Sequence, residues 1–234
     1  MLLTAVLRGR GGLRTLGGRV PRWSVPLRWY VFALFPRGIA LLATAISVLL
    51  GSPLPNFSPP PLLTLYPLPE DVPAAGLPVA IAIVFVQALL VGSPLAEELG
   101  WRGFALPRLQ STHSAFRASL VVGVIWGLWH LPLYLVPGNP ISEVSAGVLL
   151  FGIVADSVLL TWLFNSTRGS LLLAPVFHAS IAVTELALGS EEAFPAMTQV
   201  LTWGVVLLVA AHFGVATLSS NRKKVVTRMR SVRG

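Results

Sequence analysis

Two adjacent glutamates, followed by an arginine one helical turn later, form the most chemically suggestive cluster of the sequence, Glu97-Glu98-Leu-Gly-Trp-Arg102. On a helix, Glu98 and Arg102 are four residues apart and share a face, so their side chains can pair. Glu97 lies about 100° around the helix axis and need not share that partner. The spacing predicts one carboxylate held by an ion pair and a neighbour that is available for proton transfer. The alternative is a simple charge cluster at the end of a helix.

Two histidines fall within apolar segments. His130 ends the run Trp126-Gly-Leu-Trp-His130, and Trp126 lies on the same helical face four residues earlier. His178 follows residues 167–170 by about two helical turns, and Glu185 comes seven residues later on nearly the same face. Taken singly, each such histidine is more often a hydrogen-bonded packing residue than a catalyst.

Taken together, Glu97, His130 and His178 favour acid–base chemistry. They lie in or beside three different predicted helices, and we expect them at a loosely similar depth in the helical bundle. A low-dielectric surrounding favours the neutral forms of carboxyl and imidazole groups, which suits a general base near neutral pH. Three nitrogen and oxygen ligands plus a water also make a catalytic zinc set. Zinc bound by these three residues is therefore an alternative.

Several other hydrolase classes lack their signatures. No histidine begins an HExxH pair, and there is no G-x-S-x-G turn and no cysteine. The only aspartates are Asp71 and Asp156, and Asp71 falls in a predicted loop. An aspartyl dyad at membrane depth is therefore disfavoured, and a glutamate–histidine site remains.

The composition is that of a membrane protein. Of 234 residues, 54% are hydrophobic and 11% are charged, whereas soluble domains carry about a quarter charged residues. Long uncharged runs match the roughly 20 residues that a helix needs to cross the hydrocarbon. We predict an all-α, polytopic bundle of about six transmembrane helices within a domain at 29–218, with a catalytic core at about 76–188. The predicted spans are 29–50, 76–95, 119–136, 144–164, 171–188 and 196–218.

The positive charges predict the orientation of these spans. Residues 1–28 are predicted to be a basic cytoplasmic N-terminal tail, and residues 219–234 a basic cytoplasmic C-terminal tail. With the N-terminus inside and six spans, 16 of the 17 Lys and Arg residues lie in inner segments, and Arg37 lies in the half of the first span that adjoins the inner N-terminal tail. The outer loops then carry only acidic charges, Glu70, Asp71, Glu143, Glu191 and Glu192. The pattern predicts an integral protein of a bacterial plasma membrane, with both termini cytoplasmic.

Two further features complete this reading. The connection at 51–75 contains eight prolines and is predicted to be an extended loop. Nucleic-acid binding is not expected, because no recognition motif accompanies the net charge of +8.

Three segments resemble the motifs of a known family. Residues 97–109, EELGWRGFALPRL, resemble the EExxxR motif of the CAAX prenyl endopeptidase and bacteriocin-processing (abortive-infection) family. Residues 126–130 resemble its second motif, an aromatic residue followed four residues later by His. Residues 167–178 resemble the approach to its third motif. The resemblance covers about residues 95–183 and implies a CAAX-protease-like helical core with intramembrane endopeptidase activity near the cytoplasmic face.

The resemblance also implies roles for individual residues. Glu97 and His130 would activate a water for attack on a peptide carbonyl, while Glu98, Arg102 and Trp126 would support them. His178 would stabilise the oxyanion, together with an Asn or Asp four residues later. In this chain that position is Ala182, whose side chain donates no hydrogen bond. Either another group donates to the oxyanion in its place, or the protein is a weak or inactive member of the family. The candidate donors are Ser180, Thr184 and Asn165.

The resemblance implies a metal-independent mechanism, so no cofactor is expected, with zinc as the alternative. The expected partners are a peptide or protein substrate and the lipid bilayer. Ala182 favours the main rival, a non-catalytic membrane protein of the same fold with a self-immunity or partner-binding role. A transporter is disfavoured, because paired broken helices are not evident. Asp156 is expected to be buried and paired with an unidentified group, and His212 to be a packing or interfacial residue.

Overall fold

All regular structure in the described residues is helical. The computed structural model describes residues 2–54, 77–188 and 193–220. The predicted all-α class is confirmed within these ranges. Most of the proline-rich connection, Glu70, Asp71, Glu191, Glu192, the side chain of Glu185 and the basic residues after 220 lie outside what is described.

The described helices occur in the following order along the chain. Helix α1 spans Leu2–Gly17, α2 spans Leu27–Ala33 and α3 spans Phe35–Leu49. Helix α4 (Leu77–Leu90) precedes α5 (Ser93–Gly100), which continues through a π-helical turn, Trp101–Ala105, into α6 (Leu106–Leu109). The remaining helices are α7 (Ala115–His130), α8 (Ala146–Ser166), α9 (Leu173–Leu188) and α10 (Ala193–Phe213). Two 3₁₀ turns, Leu131–Leu135 and Pro140–Glu143, join α7 to α8.

The described helices are long and apolar enough for an integral membrane protein. Four segments qualify as spans, namely Pro78–Leu109, Ala115–Leu135, Ala146–Ser166 and Ala196–Phe213. A fifth is the pair α2–α3, which is bent by 46°. Pro36 explains the bend, because it has no N–H to donate to the carbonyl one turn earlier. The count of six stays a prediction, since the described apolar part of α9, Leu173–Thr184, is shorter than the roughly 20 residues required.

The second span extends beyond its predicted end at residue 95. Helical structure continues through the charged residues to Leu109. The continuation is physically reasonable because Glu98 and Arg102 pair with each other inside the protein and so offset their charges.

Helix α8 is the central helix of the bundle, and nearly all of its residues from 152 to 166 are buried. Helix α7 packs closely against it through two glycines one turn apart. A Cβ at Gly123 would lie 2.8 Å from Cα of Val154, and one at Gly127 would overlap Cδ1 of Leu150. Small residues of this kind allow helix backbones to approach each other in membranes. This contact fixes α7, and the site residues on it, against α8.

The N-terminal segment packs against the bundle. Residues 1–28, predicted as a basic tail, include α1 and a connector that binds the turn between α8 and α9. Arg22 donates through Nη1 to the carbonyl of Arg168 (2.6 Å), and Arg168 donates through Nη2 to the carbonyl of Ser24 (3.1 Å). The backbone N–H of Leu171 donates to the carbonyl of Arg19 at 3.0 Å. The sequence shows the basic content of this segment but not the distant turn that it binds.

Four segments meet at one end of the bundle. Leu16, Leu106, Ala118 and Leu171 belong to one buried apolar cluster. The start of α7 also hydrogen-bonds to residues 215–216 beyond α10. Which membrane face this end occupies stays a prediction.

Candidate active site

Three elements bring the predicted site residues together. Glu97 and Glu98 lie on α5, and Arg102 lies in the π-helical turn that follows. Trp126 and His130 lie on the last turns of α7, and His178 lies in the first half of α9. A π-helical turn contains more residues than an α-helical turn and is frequent at functional sites.

Glu98 is the centre of a buried ionic cluster. Its Oε1 accepts a hydrogen bond from Nη1 of Arg102 at 2.8 Å, with both side chains 0% exposed. The predicted pairing of Glu98 with Arg102 is therefore present. The same oxygen also lies 3.2 Å from Nδ1 of His178, which is 7% exposed. Sequence reasoning assigned Glu98 to Arg102 alone and did not predict its contact with His178.

Helix α8 contributes two polar residues that sequence reasoning did not place in the site. Nη2 of Arg102 donates to Oγ of Ser157 at 3.2 Å, and Ser157 donates in turn to the carbonyl of Ser119 at 2.9 Å. The carboxylate of Asp156 is close enough to interact electrostatically with Arg102. Asp156 is half-buried rather than buried as predicted. The available signal was this adjacent pair of polar residues in the middle of a mainly apolar helix.

Trp126 contacts all three predicted catalytic residues. Its Nε1 donates to Oε2 of Glu97 at 2.7 Å, and its carbonyl oxygen lies 2.8 Å from Nδ1 of His130. Its ring packs edge-on against His178 with centroids 4.8 Å apart, and the guanidinium of Arg102 lies 5.0 Å from its ring centroid. Trp126 thus orients the carboxylate and both imidazoles at once.

The hydrogen bond of His130 determines its tautomer. A carbonyl oxygen only accepts, so Nδ1 of His130 carries the proton in this contact. A neutral His130 then presents the lone pair of Nε2 as a base. Glu97 and His130 are both half-buried, whereas Glu98 is fully buried. The two acid–base groups are therefore more accessible than the ion pair beside them.

The position expected to complete the oxyanion site is apolar. Ala182 lies one helical turn after His178 on α9. Of the three candidate replacements, Asn165 donates through Nδ2 to the carbonyl of Thr217, and Thr184 donates to the carbonyl of Ser180. Oγ of Ser180 is buried and has no hydrogen-bond partner within the part of the chain that is described. Ser180 is thus the candidate whose donor is not already used.

The alternative of zinc bound by Glu97, His130 and His178 stays a prediction. Among the described residues, no three His, Cys, Asp or Glu side chains form a group that could hold a metal ion. Glu97 accepts from Trp126, while His178 faces Glu98. His212 is exposed with its ring edge-on to Phe213, and its predicted role is not tested by this contact.

Replacing Trp126 by Phe is expected to lower the rate of any reaction at this site about tenfold. The change removes the hydrogen bond to Glu97 but keeps an aromatic ring and the backbone carbonyl that binds His130. The rate should be compared with that of Trp129→Phe, since Trp129 lies on the same helix but is 67% exposed. Equal rates in the two variants would contradict an orienting role for Trp126.

Comparison with known proteins is consistent with this geometry. The sequence model described as Type II CAAX prenyl endopeptidase Rce1-like matches residues 78–184, which include every site residue described above. A protein named CAAX prenyl protease 2, from Methanococcus maripaludis, is 31% identical over 187 residues. The alignment covers 77% of this chain and 62% of that relative, so the chain spans less than two thirds of the relative's length.

Proposed function

The chain belongs, through residues 78–184, to the Rce1-like family of type II CAAX prenyl endopeptidases, and on this premise we propose that it hydrolyses a peptide bond within the membrane. The observation that carries the proposal is the triple contact of Trp126 with Glu97, His130 and His178. A packing role for each residue alone gives no reason for one tryptophan to contact a carboxylate through its indole N–H, one imidazole through its backbone carbonyl and a second imidazole through its ring. An arrangement that orients proton-transfer groups explains these three contacts.

In the proposed reaction, Glu97 and Nε2 of His130 hold a water molecule. The water oxygen attacks the carbonyl carbon of the substrate, and its proton passes to Glu97. The C–N bond then breaks, and the proton passes to the leaving nitrogen. The products are a new carboxylic acid and a new amine, which become a carboxylate and an ammonium by transfer of the remaining water proton, and the catalytic groups return to their starting protonation states. General acid–base catalysis of this kind contributes about 10²–10⁴ to the rate.

His178 is proposed to bind the developing oxyanion. Its Nδ1 donates to the carboxylate of Glu98, so a second donor at Nε2 requires the imidazolium form. Glu98 is thus a support that orients His178, and Arg102 holds Glu98 in place.

The proposed substrate class follows the name of the relative, a CAAX prenyl protease. The first substrate to test is therefore a short peptide that ends in an S-farnesylated CAAX sequence. The basic ends of the chain support a cytoplasmic position for both termini, and cleavage near the cytoplasmic face.

The test uses purified protein in phospholipid nanodiscs. Incubation with the S-farnesylated peptide is expected to release the C-terminal tripeptide, detected by mass spectrometry. Release should persist after exhaustive chelation, in protein that contains no zinc. Loss of release on chelation, with recovery on adding zinc, would instead support the zinc mechanism.

Ala182 favours a second candidate, a non-catalytic protein of the same fold. If the protein is a catalyst that lacks one oxyanion donor, Ala182→Asn is expected to raise kcat, because one such donor contributes about 10²–10³. The control is Ala196→Asn, the same substitution at an exposed position on α10. A binding protein would gain no activity from either change.

A further inference from the structure

Arg37 is a charged residue inside a span that the proposed mechanism does not use. It lies in the first turn of α3, just after the bend of the α2–α3 pair. Its guanidinium carbon lies 4.7 Å from the ring centroid of Phe85 on α4. Ionisable side chains at such positions are costly and usually serve a function.

The unused atoms of Arg37 define the chemistry that it can recognise. Its Nε and Nη2 are covered from solvent and have no hydrogen-bond partner within the described residues. These two nitrogens form the side of the guanidinium that binds both oxygens of a carboxylate at once. Arg37 as a whole is half-buried, and an anion that pairs with its two covered donors would offset the cost of removing them from water. The group therefore matches a carboxylate ligand.

The surroundings of Arg37 connect it to the catalytic helix. Phe85 packs against the buried pair Val84 and Val183, and Val183 lies on α9. Helices α3 and α4 both pack against α9. His178 precedes Val183 by five residues, which is about 7–8 Å along a helix axis. Three extended peptide residues span about 10 Å. If the scissile bond of a substrate lies at His178, the carboxylate three residues further along the extended substrate therefore lies about as far along the axis of α9 as Arg37 does.

We propose that Arg37 binds the free C-terminal carboxylate of the substrate. The inference rests on the proposed function, because it places the scissile bond at Glu97, His130 and His178. Arg37 would leave its position over Phe85 and form two hydrogen bonds with the carboxylate. The protein would then select chain ends over internal peptide segments, and Arg37 would be a specificity-determining residue.

The experiment measures binding, so it does not depend on cleavage. The full chain, carrying Glu97→Gln to prevent turnover, is placed in nanodiscs. A fluorescent, S-farnesylated Cys-Val-Ile-Ala peptide is titrated in two forms, with a free C-terminal carboxylate and with a C-terminal amide. The acid is expected to bind about 10- to 100-fold more tightly than the amide, as befits hydrogen bonds between charged groups.

Three variants locate the effect. Arg37→Gln is expected to reduce binding of the acid to the level of the amide. Arg37→Lys keeps the charge but not the paired donors, and should keep only part of the preference. Arg28→Gln is the matched control, because Arg28 also lies over an aromatic ring, that of Trp29, at 5.5 Å, but is exposed. It should keep the full preference.

The inference would be overturned if acid and amide bind equally, or if neither binds. It would also be overturned if Arg37→Gln weakens both peptides equally, which would indicate a structural role or an acidic partner within the chain. Acid-selective binding that depends on Arg37, in a protein that cleaves nothing, would support the inference and contradict the proposed function.

Discussion

Glu97→Gln is expected to lower the rate of peptide hydrolysis by about 10²–10⁴, because Gln cannot accept the proton of the attacking water. The amide oxygen of Gln can still accept the hydrogen bond from Nε1 of Trp126, which spans 2.7 Å in the native protein. The substitution therefore removes the base while it preserves the local packing. The rate is measured with reconstituted protein, alongside a thermal unfolding curve that confirms the native fold.

The control for this prediction is Glu143→Gln, the same chemical change at an exposed glutamate between α7 and α8. Its rate should equal that of the native protein. His130→Ala should lose activity as Glu97→Gln does, since the two side chains act on the same water. Full activity in either variant would contradict the assigned mechanism.

Arg102→Met is expected to lower the free energy of unfolding by about 3–5 kcal/mol, because it leaves the carboxylate of Glu98 buried without its principal counter-charge. Both side chains are 0% exposed in the native protein, so water cannot replace the lost partner. The measurement is equilibrium unfolding in a mixed detergent system.

The double variant Glu98→Gln/Arg102→Met separates charge from packing. It removes both charges of the pair, and Gln can still accept a hydrogen bond from Nδ1 of His178. We expect it to recover most of the stability lost in the single variant, because neutral pairs can replace buried ion pairs at little cost. Equal stability of the single and double variants would show that the ionic interaction is not what Arg102 contributes.

The sequence predicted the parts of the site that depend on local spacing. The pairing of Glu98 with Arg102 follows from their separation of four residues on one helix, and it is present. The approach of Trp126 to His130 follows from the same separation. The membrane class follows from composition, because the lack of charge leaves too little polar surface for a soluble protein of this size.

The contacts between distant segments could not be predicted in the same way. The hydrogen bond from Trp126 to Glu97 joins residues 29 positions apart, and the contact of His178 with Glu98 joins residues 80 apart. These contacts depend on how α5, α7 and α9 are rotated about their axes. Helices that are apolar on all sides carry no periodic pattern that would show this rotation. Ser157 and Asp156 were missed for the same reason.

The π-helical turn could not be predicted from the sequence either. The spacing argument for Glu98 and Arg102 assumes a regular α-helix, but the turn at Trp101–Ala105 contains a wider hydrogen-bonded loop. Side chains after Arg102 are therefore rotated relative to a regular helix. No residue type in this segment signals such a turn, so it is visible only in the structure.

The central claim is that Glu97 activates a water for hydrolysis of a peptide bond, and one measurement tests it even while the substrate is unidentified. Membranes that contain either the native protein or Glu97→Gln are incubated in ¹⁸O-labelled water, and the released peptides and new C-termini are identified by mass spectrometry. We predict a set of new C-termini carrying ¹⁸O in membranes with the native protein and not in those with the variant. Identical labelled C-termini in both membranes, or none in either, would contradict the claim.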